Sequence, residues 1–102
     1  MRYEIKRILR DIELETPMLF EKLIERIEGS LAKVCREVKY ELDAFPDVKQ
    51  RPLNDRAVYR IRRHSDTLYC NGKKYAVIAN YWEIEVDGTR IVTKFKLIDV
   101  EY

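Results

Sequence analysis

The sequence predicts an α+β fold, an antiparallel β-sheet carrying one main helix at about residues 17–28. Three observations predict it. Apolar residues recur at helical period through Leu19, Phe20, Leu23, Ile24 and Ile27. Two dipeptides, Asn71-Gly72 and Asp87-Gly88, lie between runs rich in β-branched and aromatic residues, the strongest short-range hairpin signal. Only three Gly and three Pro interrupt 102 residues that are 46% hydrophobic and 37% charged, the composition of one ordered domain able to bury about two-thirds of its unfolded surface.

Residues 2–13 fit two patterns. Ile5, Ile8, Leu9 and Ile12 suit a helix, while Tyr3, Ile5, Arg7 and Leu9 alternate as in a strand. A comparison within the chain tips residues 2–9 toward a strand. "RYEIKRI" at 2–8 resembles "VYRIRRH" at 58–64, so that Tyr3, Ile5 and Arg7 recur as Tyr59, Ile61 and Arg63. Further on, Ala32, Val34, Tyr40 and "ELDA" at 41–44 recur in the same order as Ala76, Ile78, Ile84 and "EVDG" at 85–88. Two related strand-connector-strand units, 1–45 and 56–102, joined by a linker at 46–55, would account for both matches, the second unit lacking the helix. Such units would leave a groove where they meet. The alternative is chance self-similarity in a chain rich in Tyr, Ile, Arg and Glu.

The main helix has its start signals in Thr16 as cap and Pro17 at the first helical position. Glu21 and Glu25 precede Lys22 and Arg26, and Gly29 is a stop signal, although the apolar stripe continues through Leu31 and Val34. The period then changes: Val34, Val38, Tyr40 and Leu42 alternate with Glu37, Lys39 and Glu41, as in a strand with one buried face. Residues 43–55, with two prolines, read as a connection. Residues 56–64 form a basic strand. Strands near 66–70, 73–86 and 89–101 complete a meander. A two-residue turn at Asp87-Gly88 pairs Val86 with Thr89, Glu85 with Arg90, Ile84 with Ile91 and Trp82 with Thr93, and the turn at Asn71-Gly72 pairs Leu68 with Tyr75. The expected core face is then Ile78, Trp82, Ile84, Val86, Ile91, Phe95 and Leu97, and Tyr81 faces Lys94 on the other side.

Uncharged polar residues are scarce, with one Gln (Gln50), three Asn (Asn54, Asn71, Asn80) and two Ser (Ser30, Ser65). Avoiding thermolabile amides while enriching Lys, Arg and Glu is the bias of proteins adapted to heat. In length and composition the chain resembles the small orphan proteins of filamentous viruses of hyperthermophilic archaea, of the Acidianus filamentous virus type. The resemblance covers all 102 residues and rests on no motif, so it assigns no functional residue. It implies action inside an archaeal host and no enzymatic activity. In that setting Cys35 and Cys70 have two readings, buried free thiols or a disulfide of the kind that intracellular hyperthermophile proteins retain.

No stretch of about 18 apolar residues is present, and charges at Arg2, Glu4, Lys6, Arg7 and Arg10 leave no apolar core for a signal peptide, so the expectation is a soluble intracellular protein without membrane contact. The formal charge of +2 is too small to identify a partner. His64, the only histidine, lacks a second His and a carboxylate at useful spacing, and reads as a surface or strand-end residue. Glu83 and Glu85 read as sheet carboxylates, solvated and paired to basic neighbours, rather than a catalytic pair. No phosphate loop and no zinc-type cluster is present, so no enzyme, catalytic residue, metal site or cofactor is expected. Two binding functions are. The first is interaction with a viral or host protein or peptide, through a sheet edge or the groove between units, using Tyr3, Tyr40, Tyr59, Tyr69, Tyr75 and Tyr81. The second is nucleic-acid binding along the basic strand through Arg56, Arg60, Arg62 and Arg63.

Overall fold

A computed structural model describes residues 1–43 and 47–102. The element order is α1 (Arg2–Arg10), β1 (Met18–Leu19), α2 (Phe20–Leu31), β2 (Val38–Glu41), β3 (Asp47–Pro52), β4 (Ala57–Cys70), β5 (Lys73–Val86) and β6 (Thr89–Glu101). The six strands form a mostly antiparallel half-barrel with two helices, broadly α+β as expected. Strand order is β1-β6-β5-β4-β2, and β3 joins β4 alongside the stretch that β2 does not reach.

The long β4–β5–β6 meander is built as its turns dictate. Asn71 and Gly72 have φ of 53° and 81°, and Asp87 and Gly88 have 50° and 83°, the doubly left-handed geometry of a tight hairpin turn. The expected pairs Leu68 with Tyr75, Val86 with Thr89, Glu85 with Arg90 and Ile84 with Ile91 all form. Beyond them the register slips. Trp82 pairs with Lys94 and Glu83 with Val92, so Thr93 is an extra residue, and Ile98 is another between Leu97 and Asp99.

That slip corrects the expected core face. On β5 the buried residues are Tyr75, Val77, Ala79, Tyr81 and Glu83, while Ile78, Trp82 and Ile84 are half-buried on the opposite side. Side chains alternate along a strand, and the helices cover the odd-numbered face of β5. An unbroken alternation would then turn Phe95 and Leu97 outward with Ile91. The extra residue Thr93 reverses their parity and returns both to the core, sending Lys94 and Lys96 outward.

The helices depart from expectation in two places. Residues 2–10 are helical rather than extended, because Ile5 and Leu9, one turn apart, both bury fully against α2 and the sheet, with Ile12 just beyond the helix end. "RYEIKRI" is thus helix where "VYRIRRH" is strand. The stretch expected as a linker at 46–55 contains β3, bonded to β4 from Pro52↔Val58 to Asp47↔Arg62. Residues 44–46, including the end of "ELDA", lie outside the described residues. The main helix begins at Phe20 rather than near Pro17, since Met18 and Leu19 pair with Val92 and Ile91 and stay extended; no side chain caps it. It passes through Gly29 to Leu31, following the apolar stripe rather than the glycine. Phe20, Leu23, Ile27 and Leu31 are buried, each contributing about 1.5–3 kcal/mol in removing its side chain from water.

Cys35 and Cys70 form a disulfide, Cα–Cα 5.3 Å, tying the segment after α2 to the end of β4. The Asn71 side chain reinforces the same junction, its Oδ1 accepting from the backbone N–H of Arg36 (2.8 Å) and Glu37 (3.1 Å). At the opposite edge Lys6 of α1 meets Asp99 of β6 at 2.9 Å, and the ammonium holds that carboxyl below its usual range.

Two outcomes check this architecture. Leu68→Ala, on the helix-covered face of β4, costs about 2–5 kcal/mol in denaturant unfolding, whereas Ile61→Ala on the open face of the same strand costs clearly less. Equal losses would contradict the face assignment. Reduction of the bridge, which closes a 35-residue separation, lowers stability by about 3–4 kcal/mol; thiols that alkylate without reductant would contradict it.

Candidate functional site

The six tyrosines named from the sequence do not form one surface. Tyr40, Tyr75 and Tyr81 point to the covered face and are buried, so they are corrected from partner contacts to core residues. Tyr3 is exposed on α1, and Tyr59 and Tyr69 are half-buried on the uncovered face of β4.

Tyr40 and Tyr81 serve a buried polar knot. Asp66, wholly inaccessible, accepts through Oδ2 from the hydroxyls of Tyr81 (2.5 Å) and Tyr40 (2.8 Å), and through Oδ1 from the backbone N–H of Asp43 (3.4 Å). Burial first, then the neighbouring Asp66 charge, pushes the Tyr40 hydroxyl well above the usual tyrosine range. Burial does the same at Tyr81, followed by its Tyr40 and Asp66 neighbours, so both groups stay protonated and donate. His64 is buried rather than superficial, with Nδ1 3.3 Å from Asp66 Oδ1 and its ring tilted against Tyr81 at 4.5 Å. The signal was legible, because residues two apart on a strand share a face and His64-Ser65-Asp66 has that spacing. The knot supports the core and opens on no described cavity.

The basic run divides between the two faces. Arg60 and Arg62 turn to the covered side. Arg60 donates from Nε to Gln50 (3.2 Å) and lies 3.1 Å from Glu85, while Arg62 Nε is 3.3 Å from Glu83. Glu83 is fully buried and also receives a two-bonded fork from Arg90, 3.0 Å at each oxygen, with that guanidinium stacked 4.2 Å over Phe20. Glu83 and Glu85 are therefore paired to basic neighbours as expected, Glu85 remaining partly exposed and Glu83 buried rather than solvated. Arg56 forks onto Asp87 beside the β5–β6 turn. Of the four arginines only Arg63 reaches the uncovered face, where its Nε donates to Asn80 Oδ1 at 3.2 Å.

That open face is what sequence reasoning missed. Strand register arranges it in three rows: Arg51–Tyr59–Ile84–Ile91, then Lys49–Ile61–Trp82–Lys94, then Arg63–Asn80–Lys96. Gln50, bonded to Arg60 on the covered side, fixes Lys49 and Arg51 on the other. Lys94 stands over the Trp82 ring at 4.8 Å, confirming that both project the same way. Tyr59, Ile61, Trp82, Ile84 and Ile91 are half-buried, and Lys49, Arg51, Arg63, Lys94 and Lys96 are exposed around them. No residue in these three rows is acidic; acids of the same face, Glu41 opposite Thr67 and Glu101 opposite Ala76, lie further along, toward the Asn71-Gly72 end.

Among the described residues no three His, Cys, Asp or Glu side chains gather as a metal site would require, and no helix is long and apolar enough to cross a membrane. No protein-family model, curated protein or solved structure matches the chain.

The polar knot makes one pH prediction. Since Tyr40 and Tyr81 ionise only above their unfolded range, their contribution to stability is complete below about pH 10 and is lost as pH rises further. In an alkaline absorbance titration, Tyr40 and Tyr81 should ionise only together with unfolding. Smooth titration of all seven tyrosines in folded protein would contradict the knot.

Proposed function

We propose that this is a non-enzymatic binding protein that takes an anionic partner on the open face of the sheet. One observation carries the reading. Charge is sorted in the half of the sheet nearer the Asp87-Gly88 turn: Glu83 and Glu85 lie on the covered side against Arg60, Arg62 and Arg90, while the three open rows hold five exposed cations around an aromatic and aliphatic centre, with no acid among them. Like charges gathered without counter-charges repel, so the arrangement favours a partner that supplies the missing anions. The half-buried Tyr59, Ile61, Trp82 and Ile84 add area that hydration alone does not explain.

The geometry favours the face over the sheet edge as the binding surface. Among the described residues only Ile91 and Val92 of β6 have a strand on their outer side, but the rest carries extra residues at Thr93 and Ile98 and lysines at 94 and 96, devices that blunt an edge against an added strand. The groove between repeated units receives no support from two matching stretches that fold differently. An acidic viral or host protein segment has the required chemistry, and so does a nucleic acid. The amide-poor composition supports the hot setting that the resemblance to archaeal filamentous-virus proteins implies, and the buried Cys35–Cys70 bridge is compatible with the interior of such a host, where disulfides persist.

Retention on immobilised heparin tests the site. Lys94→Glu with Lys96→Glu should elute at much lower salt than Lys22→Glu with Lys33→Glu, a pair on the helical side with the same change in net charge. Equal shifts for the two pairs would show that total charge alone governs binding.

A further inference from the structure

We propose that the ligand of the open face is single-stranded nucleic acid, with bases stacking on Tyr59 and Trp82 and phosphates held by the surrounding cations. This rests on the open face being the binding surface, and adds the class of partner.

The placement of the two rings is the first argument. Tyr59 lies opposite Ile84 on β5, and Trp82 lies opposite Ile61 on β4, so the two residues are diagonal neighbours on adjacent strands, with backbone positions about 7–8 Å apart. Two rings rising from such positions can each take one of two successive bases from an extended strand, because stacking needs only a flat π-face and no particular sequence. Lys94 stands over the Trp82 ring in the free protein, so a stacking base takes the place of the ammonium and leaves it to pair with a phosphate; Ile61 and Ile84 fill the remaining corners of the quadrilateral.

The cations supply the second argument. Lys49 and Arg51 border the rings on the β3 side, Lys94 borders them on the β6 side, and Arg63 and Lys96 continue the border down the face. A backbone crossing the strands therefore meets positive charge before, between and after the stacked bases. An acidic polypeptide would satisfy the cations, but its carboxylate side chains leave flat aromatic surface unmatched.

Single strands are favoured over duplex for a geometric reason. The bases of a duplex are stacked on one another, and only an element that enters a groove reaches their edges. The open face is a sheet surface, with neither helix on that side. Duplex would meet the cations and leave Tyr59 and Trp82 without a base.

Trp82 is the only tryptophan, so intrinsic fluorescence reports on the site directly. The full chain with its disulfide intact is titrated with oligothymidylate of about 15 nucleotides, the same length of duplex, and polyglutamate. Oligothymidylate should quench Trp82 and bind more tightly than duplex. With five cations engaged, log affinity should fall against log salt with a slope of about −3.5, roughly a hundredfold loss between 50 and 200 mM. Tyr59→Ala should weaken binding by roughly 5- to 150-fold while leaving Trp82 as reporter. Should that variant lose its cooperative melt, Lys49→Glu with Arg51→Glu, both exposed, replaces it and should reduce the salt slope by about 1.4.

Equal affinity for duplex and oligothymidylate without quenching, or quenching by polyglutamate alone, would overturn the ligand class while leaving the open face as the site. If Lys94→Glu with Lys96→Glu leaves both heparin retention and oligothymidylate affinity unchanged, the open face itself is overturned, and this inference with it.

Discussion

The fully buried Glu83 carboxylate constrains everything around it. A carboxylate removed from water is tolerated only when its charge and lone pairs are met, and here the cations come from both neighbouring strands, Arg62 from β4 and Arg90 from β6. Replacing one cation would strand the other charges, so the three central strands are locked to one another by chemistry as well as by backbone bonds. The lock also sets register, because a one-residue slip of β4 against β5 would turn Arg62 to the opposite side of the sheet. Arg90 completes the arrangement by covering the Phe20 ring at the start of α2, which joins the ionic cluster to the helical layer.

Placing the acids of β5 on the covered side has a consequence for the other side. Once Glu83 and Glu85 recruit Arg60, Arg62 and Arg90, the residues alternating with them fill the open face: Tyr59, Ile61 and Arg63 on β4, Asn80, Trp82 and Ile84 on β5. The extra residue at Thr93 extends the effect to β6 by turning Lys94 and Lys96 outward as Phe95 and Leu97 turn in. A single inserted residue therefore serves the core and the charged surface together.

Turn chemistry and the register next to each turn were legible in the sequence, because Asn-Gly and Asp-Gly fix both the left-handed dihedrals and the residues that flank them; the extra residue at Thr93, which displaces the expected Trp82–Thr93 and Tyr81–Lys94 pairs, was not. Which face would be covered was not. Tyr75, Val77, Ala79 and Tyr81 alternate with Ala76, Ile78, Trp82 and Ile84, and both sets are apolar enough to form a core. Helix packing decides between them, and that is a tertiary fact. The same ambiguity hid the candidate site, since Trp82 and Ile84 read as core and the arginine run as one surface. Alternation splits that run, and only the pairing of Arg60 and Arg62 with Glu85 and Glu83 shows which half is used internally. Residues 2–10 failed for a related reason: Tyr3, Ile5 and Leu9 satisfy both periods, and burial of Ile5 and Leu9 selects the helix.

The two ends of the sheet differ in how they are held, and that bears on where binding belongs. At the Asn71-Gly72 end the disulfide, the Asn71 carboxamide and β2 fasten the sheet to the segment after α2, with the Asp66 knot beneath. At the Asp87-Gly88 end, β3 and the Arg56–Asp87 fork extend the sheet instead. The open-face cations and Trp82 belong to this second end, on strands whose register is fixed by the buried Glu83 cluster directly behind them. A binding face backed by a rigid ionic lock is preorganised: its side chains lose little backbone freedom when a ligand arrives, and more of the contact energy appears as affinity. In the hot setting proposed above, paired charges would become less costly to bury as temperature rises, while the open cations would keep their attraction for the anionic strand proposed as ligand.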